Sequence, residues 1–114
     1  MALLESATTV RKLAPDIAAI ARLDRSGVIV TAPGDGPYDF VSRYFAPAKG
    51  IPEDPVTGSA HCSLAPYWAQ RLHKTAFFAF QASRRGGEIR CRWLNDRVEL
   101  EGSCVFYLQG EVEI

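Results

Sequence analysis

Glu53-Asp54-Pro55-Val56-Thr57-Gly58-Ser59 places two carboxylates and two hydroxyls directly before an apolar run that starts at Ala60. Pro55 biases Asp54 towards an extended backbone, and the turn passes through Val56, Thr57 and Gly58 before helical periodicity begins, so the carboxylates sit on a stiff loop. Ser59 is the expected N-cap, with Thr57 a close alternative. The amides of Gly58 through Cys62 are then the unpaired donors of a helix N-terminus. Such an end attracts anions, and a substrate carboxylate or a phosphate is the ligand it suits. The same spacing also fits a core helix with no ligand, its donors satisfied by Thr57, Ser59 and Asp54.

The element that must position these groups is the helix from about residue 59 to 72. Ala60, Leu64, Ala65, Trp68, Ala69 and Leu72 share a broad face, while Cys62 and Tyr67 carry apolar character round the other side, a pattern that predicts burial almost all round. Pro66 removes one i to i−4 bond, to the carbonyl of Cys62, and predicts a bend or a loosened turn. His73 stands where a glycine stop is the usual choice.

Before this helix, Ala2 to Glu5 is an apolar start suited to an edge strand, and Ser6 or Thr8 caps a short helical turn that ends before Pro15. Asp16, Ile17, Ile20 and Leu23 then recur at helical spacing, with Arg22 and Arg25 near the C-terminal end and Gly27 as the stop. Val28 to Ala32 reads as a strand, Pro33 to Pro37 as a turn, and Tyr38 to Phe45 as an alternating strand with Phe40 and Tyr44 on the opposite face from Val41 and Phe45. After the helix, Thr75 to Gln81 is a strand whose Phe77, Phe78 and Phe80 predict burial on both faces. Gly86-Gly87 leads to Glu88 to Leu94, Asn95-Asp96 to Arg97 to Leu100, and Gly102 to a last strand over Cys104 to Leu108. Glu88, Arg90 and Arg92 alternate with Ile89, Cys91 and Trp93, as in a sheet with one wet face. The expectation is a single α+β domain over residues 1–114, a curled, mostly antiparallel sheet of about six strands around one central helix. Trp68 and Leu64 should pack against Phe78, Ile89 and Val105.

Thirteen basic and thirteen acidic residues give a formal net charge of zero, which favours neither nucleic acid nor an anionic membrane as a partner. No apolar run is long enough for a membrane span and no signal-peptide pattern follows Met1. Cys62, Cys91 and Cys104 lack CxxC spacing and are odd in number, as expected of reduced thiols in a cytoplasmic protein, with Cys62 a small buried hydrophobe. His61 and His73 have no companions at ligand spacing, so no metal is expected. Arg84-Arg85-Gly86-Gly87 lies between two strands and is a turn, not a nucleic-acid-binding repeat.

Arg43-Tyr-Phe-Ala-Pro47, Gly50-Ile51, the nine residues Glu53 to His61, Leu64-Ala-Pro-Tyr-Trp68, Ser83-Arg-Arg-Gly-Gly-Glu88, Asp96-Arg-Val98 and Gly110-Glu111 together resemble the second half of the phenazine-biosynthesis PhzF-like proteins. The resemblance covers most of the chain in order. It implies a diaminopimelate-epimerase-like fold of two similar halves, each a sheet wrapped around a helix, with the active site in the cleft between them. It further implies cofactor-free proton-shift chemistry on a small carboxylic acid. Asp54 and Ser59 take the catalytic positions, and Thr57, Gly58, Ser59 and Ala60 receive the substrate carboxylate. The first-half motifs that carry the proton-moving carboxylate are not in this sequence, and Glu53 is the one nearby residue that could substitute. Three expectations follow: a half that becomes an isomerase when a separate first-half chain or a second copy completes the cleft, a non-catalytic anion-binding module, or a structural homo-oligomer.

Overall fold

The computed structural model describes residues 1–23 and 27–114, so the expectation for Arg25 lies outside the described residues. Among the described residues, seven strands and three α-helices follow in the order β1 (Ala2–Leu3), α1 (Ala7–Lys12), α2 (Ile17–Ala21), β2 (Val28–Pro33), β3 (Phe40–Ala46), β4 (Ile51–Asp54), α3 (Gly58–Leu72), β5 (Ala76–Gln81), β6 (Gly87–Trp93) and β7 (Val98–Glu101). They form one curled, unclosed sheet in the order β1-β2-β3-β5-β6-β7, with β4 paired to β3 beside β5. The α+β class, the mainly antiparallel pairing and the central helix are as expected.

Two pairings are parallel. β1 lies parallel to β2, and β3 lies parallel to β5 with Phe40, Val41 and Ser42 opposite Ala79, Phe80 and Gln81. A parallel neighbour requires a long crossover, and here α3 lies within it. The helix packs on the inner face of the sheet through Ala60, Leu64, Ala65, Trp68 and Ala69 against Phe40, Phe77, Ala79, Ile89 and Cys91. Trp68 stacks on Phe40 with ring centroids 5.7 Å apart, and its indole N–H donates to the Thr31 hydroxyl at 3.0 Å, so the polar end of the largest core side chain is satisfied.

The outer face of β2 and β3 carries a second core. Ala7 and Val10 of α1 meet Val30, Ala32, Val41 and Phe45, with Ile17 and Ile20 of α2 against its edge. Alternation along β3 sends Phe40 and Tyr44 inward and Val41 and Phe45 outward, as read from the sequence. The three phenylalanines of β5 divide likewise. Phe77 is buried inward, while Phe78 and Phe80 lie half-buried on the other face beneath Tyr38, with Arg90 over the Phe78 ring and Arg11 over Phe80.

Several expectations are corrected. Phe78 is therefore not a partner of Trp68, and Phe77 takes that place. Val105 is not one either: residues 102–114 form no secondary structure and are exposed, so there is no strand over Cys104 to Leu108. Apolar alternation suggests a strand there, but a strand also needs a hydrogen-bonding neighbour, and this segment has none among the described residues. α3 is not buried all round, since Ser59, Cys62, Ser63, Gln70 and Arg71 are exposed and Cys62 is an exposed thiol. The helix runs unbroken through Pro66 and ends at His73, which adopts a left-handed cap (φ 52°, ψ 40°) without being glycine. α2 is shorter than its periodicity suggests and is capped at Arg22, ahead of Gly27.

Candidate functional site

The start of α3 is assembled from three parts of the chain. β4 pairs antiparallel with β3, Tyr44 opposite Asp54 and Ala46 opposite Ile51, with an irregularity between them. Glu53 is drawn to β3: its carboxylate accepts from Arg43 Nε at 2.7 Å and Nη2 at 3.0 Å. Arg43 Nη1 also donates to the carbonyls of Val10 and Leu13 at 3.2 and 2.7 Å. A bidentate pair tied in addition to a helix end is a structural clamp. Glu53 is thereby committed and is not a free proton acceptor.

Asp54 faces the other way. Its Oδ2 accepts the Thr57 hydroxyl at 2.6 Å, while its backbone carbonyl accepts Gln81 Nε2 at 2.7 Å. Gln81, fully buried on β5, also donates from Nε2 to the Thr57 hydroxyl at 3.0 Å and accepts the Thr57 amide on Oε1 at 2.8 Å. From the following loop Ser83 Oγ donates to the Pro55 carbonyl at 2.7 Å and accepts the Gly86 amide at 3.1 Å. Gly87 completes the support, because a Cβ there would collide with Val56 Cγ2 and push the loop away. The site loop is thus gripped at Asp54, Pro55, Val56 and Thr57 by residues at least 24 positions further along.

Thr57, not Ser59, is the N-cap, and its backbone is extended as that position requires (φ −113°, ψ 99°). Its side chain makes no capping bond to the first turn. Threonine at this position usually supplies one, worth about 1 kcal/mol. Here the hydroxyl is spent on Asp54 and Gln81. The carbonyl of Thr57 is engaged as well, lying 2.8 Å from His61 Nδ1. A carbonyl can only accept, so Nδ1 carries the proton and Nε2 is the bare nitrogen. His61 is completely buried, and Nε2 finds no partner among the described residues. Burial lowers its pKa below the ordinary 6.5, the bond to Thr57 opposing that in part, and the ring is neutral.

The candidate residues therefore take distinct places. Gly58 and Ser59 are exposed, Ala60 is buried by its methyl, Thr57 is buried and turned inward, and Asp54 is half-buried beside it. Around them lie open depressions. One of about 480 Å³ is bordered by Val56, Gly58, Arg85, Gly87, Glu88 and Leu100, and one of about 580 Å³ on the other side of the loop by Pro52, Glu53, Pro55 and Arg85. A third of about 570 Å³ follows β5 to β7 from Lys74 to Glu101, away from the loop. Asp54 and Ser59 line none of these three. No group of three or more His, Cys, Asp or Glu is placed to hold a metal among the described residues. Sequence reasoning missed Gln81 and the inward role of His61. Period two exposes the first, since Phe77, Ala79 and Gln81 share the inner face of β5 and a lone amide among apolar residues there must be bonded to something.

A curled, unclosed sheet over a central helix, with that helix's first turn left without a side-chain cap behind a clamped acidic loop, defines a half-barrel class of α+β protein. The comparisons are specific within that class. The model of the PhzC-PhzF phenazine biosynthesis-like proteins matches residues 1–110, and the chain belongs to this family. An uncharacterized isomerase of Pseudomonas aeruginosa is 56% identical over the whole chain, which spans 43% of that relative. Mouse phenazine biosynthesis-like domain-containing protein 1 is 52% identical over 90 residues, covering 74% of this chain and 31% of its own. The crystal structure of a PhzF-family phenazine biosynthesis protein from Enterococcus faecalis superposes with a TM-score of 0.88 at 46% identity, covering 98% of this chain and 43% of that one. The chain thus spans less than half the length of these relatives.

Proposed function

We propose that this chain is the carboxylate-binding half of a PhzF-like isomerase. In this reading the amides of Gly58, Ser59 and Ala60 receive the carboxylate of a small organic acid, with Ser59 and Asp54 beside it, and a second half or a second copy of the chain completes the cleft and supplies the proton-moving group. The chemistry is a proton shift without a cofactor. Taking a proton from the carbon next to a carboxylate builds negative charge, which amides already fixed at a helix end stabilise without reorganising. The observation that carries this is the uncapped first turn of α3: a residue suited to capping stands at the N-cap and its hydroxyl is bonded elsewhere. Isomerase names among relatives of the same family support the reaction class.

Titration calorimetry with a panel of small carboxylates tests binding. Ser59→Pro removes one amide and one hydroxyl from the site, and its affinity should fall roughly tenfold or more, as expected for loss of charge-assisted hydrogen bonds. Equal affinity in variant and parent places the ligand elsewhere. A second reading, a small-anion-binding module without turnover, is favoured by one observation: Glu53 is held by Arg43 and Asp54 accepts the Thr57 hydroxyl, so both carboxylates of the loop are engaged. Exchange of a bound ligand's α-hydrogen in deuterated buffer separates the two, because only the isomerase half, once completed, washes in deuterium.

A further inference from the structure

Cys62 on α3 and Cys91 on β6 are free thiols on two elements that pack together, the first exposed and the second buried. Cys91 faces inward, into the core that Ala60, Leu64, Ala65 and Ala69 of α3 complete. Three of those four are alanines, and small side chains at a contact let the helix lie close to the strand. Cys62 stands at the margin of this packed face. It comes four residues after Gly58 and seven before Ala69, so the three share one line along the helix. That line faces β7: a Cβ on Gly58 would stand 3.3 Å from Leu100 Cδ1, and Leu100 is the register partner of Cys91. Cys62 therefore follows the seam where β6 and β7 meet α3. The two thiols influence one another across it. Burial pushes the Cys91 thiol up to about 12, and the charge of a Cys62 thiolate adds to the rise. The seam also opens to solvent, because Cys91 and Leu100 border the depression of about 570 Å³.

We propose that Cys62 and Cys91 are a redox modification site, which a peroxide converts into a disulfide bond joining α3 to β6. The two sulfurs have unequal parts. The thiolate is the nucleophile, and Cys91, buried and held protonated, does not react first. The Cys62 thiolate attacks one oxygen of hydrogen peroxide and the O–O bond breaks. The sulfur is oxidised to a sulfenic acid, and the peroxide is reduced, its other oxygen leaving as hydroxide that takes up the proton Cys62 released and becomes water. The Cys91 sulfur then attacks the Cys62 sulfur. The S–OH bond breaks, and the departing hydroxide leaves as a second water with the Cys91 proton. Two thiols and one peroxide thus give one disulfide and two waters, and a dithiol reductant reverses the change.

The test treats the folded 114-residue chain with hydrogen peroxide, alkylates the remaining thiols and maps the bonds by mass spectrometry without reduction. Cys62 and Cys91 should be lost together from alkylation and appear in one intramolecular bridge, which dithiothreitol removes. In denaturant the bridges 62–91, 62–104 and 91–104 should appear as a mixture, since the fold no longer selects among them. A disulfide spans Cα atoms no more than about 7 Å apart, so a bridge specific to the folded chain reports that the two residues meet there. Cys91→Ala, which keeps the buried position apolar, should stop the reaction at a Cys62 sulfenic acid that dimedone captures. Where Cys91→Ala does not fold, Cys104→Ser carries the test, because its change lies in the exposed segment after β7 and 62–91 is then the one intramolecular bridge possible. Oxidation of Cys62 to a sulfinic acid with no bridge, a bridge from either residue to Cys104 in the folded chain, or thiols that all remain open to alkylation would overturn the proposal.

Discussion

His61 is the residue whose chemistry most constrains the molecule. Folding buries it as a neutral ring with its pKa lowered by desolvation, while the unfolded chain takes up a proton near the ordinary value of 6.5. Below that value the unfolded state therefore binds more protons than the native one. Stability is full above about 6.5 and declines as the pH falls through and below it, until the depressed native value is reached. Denaturant midpoints measured from about pH 8 to about pH 5 should fall in the parent and lose most of that slope in His61→Asn, which keeps a donor near the Thr57 carbonyl but does not titrate in this range. An unchanged slope would assign the acid sensitivity to other groups. At this scale the sequence showed the acidic loop, the hydroxyls and the glycine, and the family motif they form. It did not show which of them look inward: Thr57 and Ser59 are equally good caps on paper, and the Thr57 hydroxyl is held by Asp54 together with the amide of Gln81, 24 residues away. Glu53 likewise looked available until Arg43 was placed beside it.

Among the elements, α3 holds the two sides of the inner core together. Trp68 touches β3 through Phe40 and reaches β2 through Thr31, so its loss leaves a large cavity and an indole-sized gap in front of a buried hydroxyl. Trp68→Ala should cost roughly 3–5 kcal/mol, a large part of the stability of a domain this size, and a melting temperature within a few degrees of the parent would refute the central role of this helix. The elements legible in the sequence are those with a local signal. Ser6 announces the cap of α1 and does accept from Thr9, whereas Asp16, read as part of the second helix, proves to be its N-cap and accepts from Ala19; alternation along Glu88 to Trp93 gives β6 its wet and dry faces. Parallel pairing of β3 with β5 leaves no turn between partners to read. The second core under α1 and α2 was missed for a related reason, because Val30, Val41 and Phe45 look the same in sequence whichever layer covers them.

For the whole molecule, the exposed segment at residues 102–114 presents Val105, Phe106, Tyr107 and Leu108, each at least 83% exposed, in one run. A contiguous apolar stretch of this kind marks an interaction surface. Self-association is the simplest cover, and two-fold dimers are the commonest soluble oligomers. A homodimer burying at least about 1,000 Å² in total is the expected outcome of sedimentation at micromolar concentration. A clean monomer that still binds a carboxylate at Ser59 would refute self-completion and leave either a separate partner chain or the non-catalytic binding module. The parallel register of β3 and β5 bears on how the molecule is reached as well as on what it is. Phe40 and Ala79 must meet across an intervening segment that contains all of α3, and the grip of Gln81 on Thr57 also spans 24 residues. Closing loops of that length costs entropy before any contact rewards it, so the clamp on the site loop should form after the folding barrier has been crossed. Gln81→Met should accordingly speed unfolding several-fold while leaving the refolding rate nearly unchanged, as expected of a contact absent from the transition state. Stopped-flow chevrons in which the refolding arm moves instead would put this loop into the nucleus, and the start of α3 would then be among the first parts of the chain to take shape.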